Sequence, residues 1–280
     1  MRKIYKLYIG GMFPRSESGR TFEVHDASGR FWSDAALGSR RDARDAVVAA
    51  RRAFGSWSGR TAYNRGQVLY RVAEVLESRR AEFASEVRRA TGQSPRDALD
   101  EVDAAVDRWV WYAGWADKIA QVRGGVNPVA GSFVNFSVPE PCGVAAVLAP
   151  QDSALLGLVS VLAPAIVSGG TCVVVASGRY PLPAITLAEA LATSGVPGGV
   201  VNVLTGQVTE LGPWLGSNPD VNAIDVTGAP GVLADDVAVA AADNLKRVIR
   251  LPAADWAAEQ GLDRMFGYLE TKTVWHPMGM

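Results

Sequence analysis

Val144-Ala145-Ala146-Val147-Leu148, Cys172-Val173-Val174-Val175-Ala176 and Val200-Val201-Asn202-Val203-Leu204 are three short apolar runs in a chain of 280 residues. Each is followed by a stretch that reads as helix: 154–168, 182–194 and 209–216. The rhythm continues with Asn222–Val226, a helix from Pro230 to Asp243, and Lys246–Leu251. Strands that are apolar throughout, alternating with helices, belong to a parallel sheet covered on both faces. The fold class is therefore α/β, a doubly wound and mostly parallel sheet.

Upstream, the pattern changes to helices. Tyr5–Gly10 reads as a strand ending in the Gly10-Gly11 turn. Ser39 followed by Asp42 has the spacing of a capping box, and Ala43, Ala46, Val47, Ala50, Phe54 and Trp57 fall on one face of the helix it starts. A second long helix is expected from about Tyr63, with the stripe Leu69, Val72, Ala73, Leu76, Phe83, Val87. A third starts with Ser94 as cap, Pro95 in its first turn and Asp97 at the positive end of its dipole. Phe133–Val138 alternates as a strand does, and Pro139 and Pro141 are expected to break it before Val144. Thr271–His276 alternates in the same way.

Composition excludes several functions. A net charge of -1 and a pI near 6.2 leave no electrostatic footprint for nucleic acid. No apolar run reaches the length of a membrane span, and the basic N-terminus lacks the apolar core of a signal peptide. Cys142 and Cys172 sit in apolar stretches without a CxxC pattern, which points to a reducing, cytoplasmic location. His25 and His276 have no partner spacing that suggests a triad or a metal site. The acid pairs Asp100-Glu101 and Asp235-Asp236 are expected on solvent-facing helix surfaces.

An ordered set of pieces resembles the aldehyde dehydrogenase family. Tyr8-Ile9-Gly10-Gly11 resembles its opening strand and turn, and Ala53-Phe54-Gly55-Ser56-Trp57 its "AF..W" helix. Glu140-Pro141-Cys142-Gly143-Val144 is similar to its "EPVGV". Gly195-Val196-Pro197-Gly198-Gly199-Val200-Val201-Asn202-Val203, with Gly206, is similar to "GLPPGVVNVV.G". Asn218-Pro219-Asp220-Val221, Val226-Thr227-Gly228, Asn244-Leu245-Lys246-Arg247-Val248 and Lys272-Thr273-Val274-Trp275-His276-Pro277 follow in family order. The resemblance implies a Rossmann-like cofactor domain over 1–251, with an oligomerisation-arm strand about 131–139. It implies a tail over 252–280 that carries the terminal arm strand.

The same comparison implies that the family's chemistry is missing. Its cysteine nucleophile belongs to a second domain, and the sequence passes from Leu251 almost directly to the terminal strand. Cys142 and Cys172 match no nucleophile position and read as small core residues. The glutamate base of "LELGGK" falls at Leu251, or at Arg250 after a one-residue slip. The oxyanion asparagine of "PWN" falls at Asp152 in Pro150-Gln151-Asp152. An ionised carboxylate there accepts hydrogen bonds and repels an oxyanion. The ribose-gripping "KPAE" becomes Val175-Ala176-Ser177-Gly178, and the last glycine of "TGS...G" becomes Leu233.

Vestigial cofactor positions are Pro150, Gln151, Gly206, Thr227 and Gly228. No cofactor is expected, with NAD(P) as the alternative. The resemblance extends to the inactive second aldehyde-dehydrogenase-like domain of two-domain members. It implies a non-catalytic subunit that forms homo-oligomers, or hetero-oligomers with a catalytic aldehyde dehydrogenase. The alternatives are an NAD(P)-dependent aldehyde oxidoreductase component whose partner supplies nucleophile and base, and a small-molecule binder at the strand ends.

Overall fold

The computed structural model describes residues 4–252 and 255–279. It opens with a small sheet of β1 (Ile4–Tyr5), β2 (Thr21–His25) and β3 (Phe31–Ala36), ordered β1–β3–β2. The strand expected over Tyr5–Gly10 is cut short. Only Ile4 and Tyr5 pair with β3, and Tyr8 instead exchanges backbone hydrogen bonds with Val203.

Helix α1 (Arg40–Ser58) starts at the expected capping box: the Asp42 N–H donates to Ser39 Oγ, and the Ser39 N–H donates to the Asp42 carboxylate at 2.8 Å. Asp42 also accepts from Ser16 Oγ and the Glu17 N–H, which ties the N-terminal loop to the helix start. The single helix expected from Tyr63 is in fact two, α2 (Ala62–Ser78) and α3 (Arg80–Thr91). The chain leaves helical geometry at Arg79 (φ -103°, ψ 15°), whose guanidinium bonds Glu82 and Glu189 and lies over the Phe83 ring. Leu76 and Phe83 keep a seven-residue spacing across the break, so apolar periodicity alone does not register it. Helix α4 (Pro95–Trp115) begins as expected, with Ser94 Oγ accepting from the Asp97 N–H. Helix α5 (Ile119–Arg123) leads to β4 (Gly125–Asn127) and β5 (Phe133–Pro141).

The central units follow in sequence: β6 (Val144–Leu148), α6 (Leu156–Val167), β7 (Thr171–Val175), α7 (Pro181–Thr193), β8 (Val201–Leu204), α8 (Val208–Ser217), β9 (Ala223–Asp225), α9 (Gly231–Ala242) and β10 (Arg247–Ile249). They form a five-stranded parallel sheet ordered β10–β9–β6–β7–β8. One face packs on α2, α3, α4, α6 and α7, the other on α1, α8 and α9. Both faces being covered explains why every residue of β6, β7 and β8 is buried. The strand order reverses between β6 and β9. In a sheet of this kind the crevice outside the carboxyl ends of those two strands is where ligands bind.

Helix α10 (Asp263–Gly267) and β11 (Leu269–Pro277) complete the chain. β11 pairs antiparallel with β5 along nine positions, from Leu269 opposite Pro141 to Pro277 opposite Phe133, and β4 flanks β5 on its other side. Pro139 and Pro141 do not break β5. The Cys142 N–H donates toward β11, to the Tyr268 carbonyl. Alternation then turns positions 139 and 141 toward the opposite side, where β4 reaches only as far as Ser137. Proline costs no ladder bond at such an open position.

Candidate functional site

The lips of the switch-point crevice are the loop after β6, starting at Ala149, and the loop after β9, starting at Val226. They are pressed together. The Gly228 N–H donates to the Leu148 carbonyl at 3.0 Å, and a Cβ on Gly228 would lie 1.9 Å from the Ala149 oxygen. Only glycine fits, and the atoms it meets are the chain's own backbone.

Pro150 is buried. The Gln151 side chain is used up internally: Oε1 accepts from Ser177 Oγ and the Gly178 N–H, and Nε2 donates to the Ala149 carbonyl. Ser177 Oγ in turn accepts from the Arg179 and Tyr180 N–H groups at the start of α7. Gly206 (φ +157°) faces the Gly38 backbone, 3.1 Å from where its Cβ would stand. Asp152 is exposed, and its carboxylate accepts the Trp256 indole N–H at 3.0 Å. Leu251 is partly buried against the core, and Arg250 pairs with Asp235 on the surface. Thr227 Oγ1 accepts from Arg264 at 2.8 Å.

The polar centre of this region is one that sequence reading missed. Asp225, the last residue of β9, is fully buried. Its carboxylate accepts from the Thr227 N–H at 2.9 Å, the Tyr268 hydroxyl at 3.2 Å and the Arg264 guanidinium, itself only 4% exposed. Burial, with Asp225 adjacent, pushes the Tyr268 phenol well above its ordinary range, so it stays a donor. Arg108 on α4 donates to Ser160 Oγ and to the Trp256 and Ala258 carbonyls, which fastens the tail to α6. The available signal was an aspartate inside the apolar run Ala223-Ile224-Asp225-Val226.

Glu101 corrects another expectation. It is no solvent-facing acid: its carboxylate accepts from Ser153 Oγ and from the Leu155 and Leu156 N–H groups. It caps α6 from a neighbouring helix, where Leu155 offers no cap of its own. Asp235, in the other pair, is a surface acid, bonded to Arg250.

Neither thiol has the environment of a nucleophile. Burial pushes Cys142 up to about 12 and Cys172 higher still. His25 lies near Glu23 and Phe31, and His276 is exposed on β11, so the two do not meet. Among the described residues no group of three or more His, Cys, Asp or Glu side chains could hold a metal ion. Among them, too, no helix is long and apolar enough to cross a membrane.

A parallel sheet with a β6/β9 switch point and a glycine-tight turn after β9 defines a Rossmann-type domain of dinucleotide-binding architecture. The profile of the Aldehyde dehydrogenase family matches residues 13–251, and the chain belongs to that family. A (Z)-2-((N-methylformamido)methylene)-5-hydroxybutyrolactone dehydrogenase of Acinetobacter baylyi is 34% identical over 248 residues, which are 87% of this chain and 50% of that protein. The structure of PnpE in complex with nicotinamide adenine dinucleotide superposes with a TM-score of 0.82 at 31% identity, covering 89% of this chain and 50% of that one. An NAD+ complex of an aldehyde dehydrogenase from Bacillus cereus gives 0.81 at 27%, covering 88% and 50%. The chain spans about half the length of the curated relatives it matches.

The family architecture implies a nicotinamide dinucleotide, but with the tail in this position the residues present do not fit one. The Gln151 and Ser177 polar groups bond each other and the start of α7, Asp225 is paired with Arg264 of the tail, and Asp152 is held by the Trp256 indole of the tail. The α6 N-terminus already holds the Glu101 carboxylate. What stays open is the first turn of α9, which has no side-chain cap.

Proposed function

We propose that this chain is a non-catalytic aldehyde-dehydrogenase-like subunit that associates with itself or with a full-length aldehyde dehydrogenase. The arm sheet carries the reading. β11 is an edge strand nine residues long, and among the described residues nothing pairs with its outer side. Trp275 on it is 58% exposed, with Phe133 and Val126 also exposed on the same sheet. A long open edge with exposed aromatic side chains invites pairing with another chain. The absence of an activated thiol supports the non-catalytic half of the reading. A cytoplasmic setting, where both thiols stay reduced, is part of the same proposal.

The register supplies a selective test. Thr273 lies opposite Ser137, and positions 137, 139 and 141 share one orientation, so the Thr273 N–H points away from β5. Thr273→Pro therefore removes an outward donor without removing a β5 ladder bond. Light scattering coupled to size exclusion is expected to show a dimer or larger assembly for the parent chain and a monomer for Thr273→Pro, with unchanged far-UV circular dichroism. A parent chain that is monomeric and binds no aldehyde dehydrogenase from its own cell would defeat the proposal.

The second reading, a dinucleotide-binding component completed by a partner, has the uncapped α9 N-terminus and the Thr227-Gly228 turn in its favour. Calorimetric titration with NAD+ and NADP+ at millimolar concentration tests it, and heat with saturation would favour it.

A further inference from the structure

The tail between β10 and β11 does more than return the chain to the arm. Its α10 segment packs on the α6-side face of the sheet, with Met265 and Tyr268 buried and Ile249 lying 3.0 Å from where a Gly267 Cβ would stand. From there it reaches both lips of the crevice. Trp256 donates its indole N–H to Asp152 after β6, and Arg264 donates to Thr227 after β9. The Arg264 guanidinium lies 5.9 Å from the centre of the Trp256 ring, so the two side chains face each other. The indole also lies against the first turn of α6: a Cβ on Gly157 would be 3.2 Å from Trp256 Cε2. Trp256 is 9% exposed, and its carbonyl is held by Arg108 at 2.9 Å.

A loose tail would not be held this way. Arg264 is the only cation bonded to Asp225 among the described residues. Withdrawing the tail would take from that carboxylate both its cation and the Tyr268 hydroxyl, so the closed arrangement is favoured. We propose that Asp255–Tyr268 is an intramolecular plug, in which Trp256 on the β6 lip and Arg264 on the β9 lip together span the β6/β9 crevice, the indole keeping a dinucleotide out. The proposal concerns the crevice alone and is independent of the oligomeric reading.

The experiment compares the full-length parent chain with Trp256→Ala. This variant leaves the Asp225–Arg264 pair, and so the anchoring of α10, in place. Amide hydrogen exchange is followed with and without 5 mM NAD+, as is NAD+ affinity by calorimetry. Exchange in loops 149–153 and 226–230 is expected to rise at least about tenfold in Trp256→Ala while β5 and β11 stay as protected as in the parent. NAD+ is expected to slow that exchange in Trp256→Ala alone, with at least about tenfold tighter binding than in the parent. Binding to the parent with protection of the same loops overturns the plug. So does a Trp256→Ala chain whose loops exchange no faster, or which binds NAD+ no more tightly than the parent, including the case where neither binds. Light scattering of both proteins reports separately on the arm, so the failure of one proposal is distinguishable from that of the other.

Discussion

Arg264→Met isolates the interaction that anchors the tail to the sheet. The substitution keeps much of the side chain's length and apolar volume and removes its charge. Asp225 is fully buried and Arg264 4% exposed, so solvent cannot replace the lost partner. Removing one member of a buried ion pair costs about 3–5 kcal/mol. Two donors to Asp225 remain, the Thr227 N–H at 2.9 Å and the Tyr268 hydroxyl at 3.2 Å, which places the expected loss near the lower end, at about 3 kcal/mol. In domains of roughly this size 1 kcal/mol moves Tm by about 2–4 °C, so the melting point should fall by about 6–12 °C. Urea unfolding followed by far-UV circular dichroism would show a lower midpoint at unchanged slope. Asp225→Asn combined with Arg264→Met removes both charges and should recover to within about 1 kcal/mol of the parent, since neither group is then a buried unpaired ion. A loss below about 1 kcal/mol in Arg264→Met, or a double variant less stable than the single one, would refute the argument.

Glu101→Ala removes the carboxylate that caps α6 from α4, and a loss of about 1–2 kcal/mol in urea unfolding is expected, at the upper end for a helix cap. Gly228→Ala places a Cβ 1.9 Å from the Ala149 oxygen, and backbone cannot move aside as a side-chain tip can. The variant should lose more than about 3 kcal/mol or fail to accumulate as folded protein, and a near-parental midpoint would show that the lips are looser than described. Burial holds Cys142 and Tyr112 near 12, above the ordinary 9.0 and 10.0. The unfolded chain therefore releases protons that the native chain keeps, and these groups lower stability as pH rises through 9–12, each by about 1.4 kcal/mol per pH unit between its two pKa values. Lys246, lowered by burial from 10.5 to about 8, acts in the opposite direction. The two thiols and two buried phenols, Tyr112 and Tyr268, outnumber it, so a net fall is expected in urea midpoints measured from pH 8 to pH 11. The same burial makes both thiols slow toward Ellman's reagent at pH 7, and rapid reaction of one thiol in native protein would contradict the packing.

The parallel sheet and its helices were legible in the sequence because each signal is local. Apolar five-residue runs force burial on both faces, Ser39 with Asp42 and Ser94 with Pro95 announce helix starts, and the alternation at 133–138 and 271–276 marks the two arm strands. The family was readable too, since it depends on residue identity at ordered positions. The break at Arg79 was not readable, because the apolar spacing from Leu76 to Phe83 suits one helix or two. Glu101 and Asp225 were not readable as to role, because an acid's partners are chosen by the fold. Glu101 meets the start of α6 from 52 to 55 positions away, and Arg264 meets Asp225 from 39 positions away. What the residues determine by themselves is which surfaces must be buried and which family the ordered motifs belong to. Which carboxylate meets which cation, and whether the tail closes the crevice, is decided only when distant segments are brought within hydrogen-bonding range in a buried region.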